Sequence, residues 1–143
     1  MKPGNPLWRG LGAIAAVLVA AWLAQGLRAA VLEERGREQL NKNLTLTEPT
    51  PSQARTLSRA ARDLDRAGWL NPDRVPRAYY AQTLLILGEE DRSREIAREV
   101  TRAEPENLEV WRIAGAIALV LRDRRFQDEA TRHIRELNPR LSR

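Results

Sequence analysis

Apolar residues are distributed along this chain in two ways. Between Gly10 and Leu27 they are almost continuous, with Gln25 the one polar side chain, whereas beyond Arg28 they recur every three or four positions among Arg, Glu and Ala. The continuous run is 18 residues long, close to the roughly 20 that cross ~30 Å of hydrocarbon at 1.5 Å per residue, and it predicts a transmembrane helix over 10–27. The recurrence at three and four predicts amphipathic helices. Arg28–Leu40 reads as a charged helical extension of the apolar run, and Asn41–Thr50 as a linker. Thr50 and Pro51 then supply an N-cap and a proline at the first helical position. The helix they open carries Leu57, Ala60, Ala61, Leu64 and Ala67 on one stripe and is expected to stop at Gly68. A second helix ends at Leu87, before Gly88. A third, about Asp91–Ala103, turns Ile96, Ala97 and Val100 inward and is broken at Glu104-Pro105. The fourth, about Leu108–Leu121, is almost wholly apolar over Ile113–Leu121 but far too short to span a bilayer, so it is expected to be the central buried helix. The fifth, Arg124–Leu137, aligns Phe126, Ala130, Ile134 and Leu137. No stretch alternates with period two, and the domain is expected to be all-α.

The flanks of the apolar run bear on its role. Trp8 and Arg9 at one edge, and Trp22 and Arg28 near the other, are residue types that anchor a span at the membrane interface. A cleaved signal peptide is the rival reading, but AWLAQGL around Ala21–Leu27 offers no clean Ala-x-Ala site and the helical pattern runs on past it. A retained anchor is favoured. The basic residues Lys2 and Arg9 before the span favour the extracytoplasmic side of a bacterial inner membrane for the following domain, against the pull of Arg28, Arg35, Arg37 and Lys42 after it. The chain thus divides into an N-terminal tail (1–9), a span (10–27), a juxtamembrane helix and linker (28–51) and a helical domain (52–143).

Within that domain the punctuation repeats. Pro105 and Pro139 each close a helix, 34 residues apart. In that register Arg74–Asn107 forms one unit and Leu108–Leu141 the next, with Gly88 at the turn between the helices of the first. In the second unit Trp111 and Gly115 stand at the aromatic and helix-crossing positions of a 34-residue helical hairpin. The pattern resembles the tetratricopeptide family, in a divergent form: Arg77 stands where the aromatic belongs, Ser93 and Gln127 where a small alanine belongs, and the second turn lacks glycine. Asn71-Pro72 lies one period earlier, offset by a residue, so the helix over Gln53–Ala67 reads as half of a degenerate unit. The fold implied is a transmembrane helix followed by a short right-handed α-solenoid of about five helices and about two and a half repeats. AGWLNPDR, PENLEVW and LNP also resemble short membrane-anchored repeat proteins, and repeat tails of envelope-polysaccharide enzymes, from actinobacteria.

The resemblance implies partner binding along the first helices of the repeats. Mapped onto this chain, the partner-binding side chains are Gln82, Leu85, Glu109, Arg112 and Leu119, with Ala116 beside them. Ala116 stands where the family's carboxylate clamp has asparagine four residues after its basic residue, so capture of a free C-terminus is not expected. By periodicity one of Tyr79 and Tyr80 should be core, and the other is either incidentally exposed or a surface anchor for a partner. Arg55, Arg59, Arg62 and Arg66 form a solvated stripe on the first domain helix.

Composition narrows the chemistry. With no cysteine there is neither a disulfide nor a thiolate-bound metal. His133 is the single histidine, and no nucleophile elbow, phosphate loop or dinucleotide fingerprint occurs. No enzyme activity, cofactor, metal or small-molecule substrate is expected. The net charge of +5 comes from Arg spread along the chain rather than from a basic block, which argues against nucleic acid. Arg in place of Lys, with abundant Ala, indicates a GC-rich bacterial genome. The expected function is a membrane-anchored adaptor or assembly factor with a membrane-associated protein partner; the alternative is a stoichiometric accessory subunit of a larger membrane complex, as in envelope glycan assembly.

Overall fold

In the computed structural model the backbone is described for residues 6–43 and 49–142, and side-chain environments for 17–42 and 49–140. The described residues form six helices: α1 (Pro6–Asn43), α2 (Pro51–Leu70), α3 (Val75–Ile86), α4 (Glu90–Ala103), α5 (Leu108–Val120) and α6 (Arg124–Leu137), followed by a 3-10 turn, Pro139–Ser142. They pack as successive antiparallel hairpins, α1 with α2, α3 with α4 and α5 with α6, each hairpin joined to the next through α2 on α3 and α4 on α5. The first helices also meet, α1 touching α3 and α3 touching α5.

Two expectations are corrected. Among the described residues no helix is long and apolar enough to cross a membrane. The transmembrane helix over 10–27, the single-pass location and the bilayer contact expected from it are therefore not supported. The described apolar part, 17–27, is eleven residues, about 16 Å of helix and about half the hydrocarbon thickness. The side chains of 10–16, like Trp8 and Arg9, lie outside the described residues; Trp22 and Arg28 are exposed on α1.

The second correction concerns the packing of α1. The stretch predicted to extend an anchor is a sixth packed helix. Ala29, Gly36 and Leu40 recur on one face and are buried against α2, with Leu32 and Glu33 half-buried beside them. A Cβ placed on Gly36 would lie 2.5 Å from Cγ of the fully buried Leu64, so the missing side chain is what lets the two helices approach.

Helix α2 opens as predicted. Thr50 is its N-cap, with Pro51 in the first turn, and a capping box joins Thr50 and Gln53 reciprocally. It buries Leu57, Ala60, Ala61, Leu64 and Ala67, but runs two residues past Gly68. Gly68 is not a terminator. It is buried, and an added Cβ would meet Cγ of Arg77 at 2.4 Å. Arg77 lies across this notch, its side chain 13% exposed, reaching Glu99 of α4 at 2.9 Å and Asp65 of α2 at 3.8 Å. The aromatic expected at its position is thus replaced by a cation that ties three helices together.

The turns within the second and third hairpins are built alike. After α3, Glu89 N–H donates to Leu84 C=O and Gly88 N–H to Leu85 C=O, with Gly88 at φ 81°. Thirty-four residues later, Asp123 N–H donates to Ala118 C=O and Arg122 N–H to Leu119 C=O, with Arg122 at φ 55°. Both are Schellman ends, which need a left-handed residue just past the helix. At the other end of the hairpins, Asp73 accepts from Val75 N–H as Asn107 accepts from Glu109 N–H, again one 34-residue period apart.

Helix α5 is not the wholly buried element its composition suggests. Val110, Trp111, Ile113, Ala114, Ile117 and Ala118 are buried, but Arg112, Ala116, Leu119 and Val120 are exposed. Leu85, one period before Leu119, is half-buried against the core, while Leu119 remains 60% exposed. The difference follows from position: no further hairpin stacks on α5 among the described residues.

Candidate functional site

The first helices of the three hairpins line one groove of about 600 Å³. Asn41 comes from α1, Tyr79 and Gln82 from α3, and Leu108, Glu109, Arg112, Ile113 and Ala116 from α5. Helical spacing explains the selection. Arg112 and Ile113 lie three and four residues beyond Glu109, and Ala116 lies four beyond Arg112, so they share a face of α5; Tyr79 and Gln82, three apart, share a face of α3. Of the partner-binding residues expected from sequence, Gln82, Glu109 and Arg112 line this groove. Leu85 packs against the core, and Leu119 is exposed on α5 outside the lining.

One wall is fixed by a network that joins three helices. The Tyr79 hydroxyl donates to Glu109 Oε1. Arg37 of α1 stands over the Tyr79 ring, 4.6 Å from its centroid, with Nη2 3.5 Å from Glu109 Oε1 and Nη1 3.5 Å from Glu33 Oε1. Burial raises the Tyr79 pKa to about 12, helped by the hydrogen bond to Glu109 and its negative charge and opposed by Arg37. Burial likewise pushes Glu33 above the usual carboxylate range, again against the pull of Arg37. Tyr79 is thus a groove residue as well as a partly packed one, while the Tyr80 hydroxyl accepts from Arg92 at 2.9 Å.

Arg112 differs from Glu109. It is exposed on the groove face and has no hydrogen bond or ion pair with any described residue. The lining also includes the apolar side chains of Leu108, Ile113 and Ala116 on the same helix, and the amides of Gln82 on α3 and Asn41 on α1.

No protein-family model, curated protein or solved structure matches this chain. Its own geometry therefore carries the functional reading.

Outside the groove the polar groups serve the fold. Trp111 is buried, donates from Nε1 to the Pro105 carbonyl at 2.8 Å and stacks on His133 with ring centroids 4.1 Å apart. Arg98 reaches Asp123 at 2.9 Å, where Asp123 also caps α6. Among the described residues no group of three or more acids or histidines is placed to hold a metal ion. Arg55, Arg59, Arg62 and Arg66 are exposed along α2. Sequence reasoning missed Glu33, Arg37 and Asn41 because their helix was assigned outside the domain. The available signal was the Ala29–Gly36–Leu40 stripe, whose heptad-like spacing already marks a packing face.

Proposed function

We propose that this chain is a protein-interaction module of tetratricopeptide-like build that works by binding alone, holding a segment of a partner protein in the groove of α1, α3 and α5. The observation that carries this reading is that the first helices of all three hairpins contribute to one groove whose lining mixes apolar side chains (Leu108, Ile113, Ala116) with polar ones (Asn41, Gln82, Glu109, Arg112). That combination suits an amphipathic or extended segment, which gains affinity from buried apolar side chains and register from a few polar contacts. The 34-residue recurrence of turn and cap hydrogen bonds supports the repeat register on which the resemblance rests.

The test is recovery of the full-length chain from its native cells with bound proteins identified by mass spectrometry, beside a Gln82→Ala, Arg112→Glu variant. A partner held by the parent and lost by the variant supports the groove. The same partner retained by the variant moves the interface elsewhere.

A second reading, a stoichiometric subunit of a larger assembly, is favoured by a different observation. Val17, Leu18, Val19, Trp22, Leu23 and Leu27 on α1 are all more than half exposed, as are Leu119 and Val120 on α5. Exposed apolar surface on this scale marks interaction sites.

A further inference from the structure

The groove has two charged side chains in its lining, Glu109 and Arg112, and the structure treats them differently. Glu109 already has the Tyr79 hydroxyl and the Arg37 guanidinium, both from other helices. Glu33, which shares Arg37, does not line the groove, and its charge is disfavoured by burial. Arg112, one turn further along α5, has no partner among the described residues. Arg112 is therefore the charged side chain of the lining that has no partner among the described residues.

We infer that the groove takes an internal segment of a partner protein in which an Asp or Glu side chain, seated on Arg112, adjoins apolar residues that cover Ile113, Ala116 and Leu108. The inference rests on the groove being the binding site, as proposed above. Charge complementarity selects the acid, because a guanidinium holds a carboxylate through paired hydrogen bonds. The apolar lining on the same helix requires that the acid be flanked by apolar side chains. A free C-terminus is not the source of the carboxylate: the residue one turn beyond Arg112 is Ala116, which offers no donor to complete such a site. A second copy is not the occupant through its exposed apolar helix either, since 17–27 contains no acidic residue. A single arginine is also too little to hold a nucleic-acid backbone, whose binding depends on many phosphate contacts.

The test is a selection of randomised peptides, displayed with both ends fused so that no terminal carboxylate is free, against the full chain. Parallel selections use Arg112→Glu and Ala116→Phe, the second filling the groove at an exposed position, with circular dichroism to check folding. The expected outcome is enrichment of Asp or Glu next to apolar residues, with binding weakened by rising salt. Arg112→Glu should lower the affinity of those peptides by about tenfold or more, the worth of a charge-assisted contact, and should itself enrich Lys or Arg. Ala116→Phe should abolish binding. If Ala116→Phe abolishes binding but enriched peptides show no acidic bias, or Arg112→Glu changes their affinity by less than about twofold, the groove stands and this inference fails. If no peptide is enriched, or enriched peptides ignore Ala116→Phe, the groove itself fails and the inference with it.

Discussion

Replacing Gly36 by alanine tests whether α1 belongs to the folded body. In an exposed helix the change should help, since Ala is favoured over Gly by about 1 kcal/mol. At this position the added methyl would lie 2.5 Å from Cγ and 2.8 Å from Cδ2 of Leu64, whereas ordinary contact begins at 3.4 Å. The first overlap, about 0.9 Å, falls on the branch carbon, which no rotation of the terminal methyls can move aside. Leu64 is fully buried, so a different rotamer only transfers the clash. Overpacking of this sort costs roughly 1–3 kcal/mol. Set against the helix gain, Gly36→Ala should destabilise by up to about 2 kcal/mol. Urea unfolding followed by circular dichroism would measure it, with Gly26→Ala on the same helix as the control. Among the described residues nothing lies within 4 Å of a Cβ added to Gly26, and its substitution should leave the transition unchanged or slightly raised. Leu64→Ala alone should cost about 2–5 kcal/mol, but in that background Gly36→Ala should become neutral or favourable. Equal effects of Gly36→Ala in both backgrounds, or no effect in either, would refute the helix contact.

The turn after α5, the buried Ser93 and the Tyr79 hydroxyl each lead to a further expected outcome. Arg122 occupies the left-handed position that Gly88 fills one period earlier; Arg122→Gly should stabilise by about 0.5–1 kcal/mol, read from the urea midpoint, because a non-glycine residue there costs roughly 1–2 kcal/mol. Ser93 is fully buried with no partner for its hydroxyl among the described residues, so Ser93→Ala should raise stability by about 1 kcal/mol, visible as a higher melting temperature. Tyr79 should ionise near 12, against an ordinary 10, as the difference in ultraviolet absorbance between the parent and Tyr79→Phe during alkaline titration. Glu109→Gln should bring that midpoint down. The native state keeps this proton while the unfolded chain loses it, so Tyr79 makes stability fall as pH rises from about 10 to about 12.

Much of the fold could be read from periodicity because most of its helices are bounded by residues with strong local preferences. Thr50-Pro51 opens α2 and Gly88 ends the α3 turn, as the sequence suggests. Local rules failed where a tertiary contact overrode them. Gly68 reads as a stop, yet it is retained inside α2 because Arg77 needs the space. Arg122 lacks the residue type its turn prefers, yet the hydrogen bonds of the turn hold it there. The largest discrepancy was α1. A run of apolar residues beginning at Gly10 drew the whole segment into one reading, although from Ala29 onward its buried positions fit a helix packed in the body.

The groove shows the same division between local and distant causes. Gln82, Glu109 and Arg112 were reached through the resemblance to repeat proteins, and the structure places all three in the groove lining. Their electrostatics could not be reached that way. Glu109 and Arg112 are three residues apart on one helix, a spacing at which opposite charges commonly pair, and such a pair would leave the groove neutral. Arg37 contacts Glu109 across 72 positions of sequence, and the Tyr79 hydroxyl across 30. Those contacts draw Glu109 to the α1 side of the wall, and Arg112 is left without a partner among the described residues. The packing of α1 therefore matters twice: it completes the first hairpin, and it decides which charge the groove offers to a ligand.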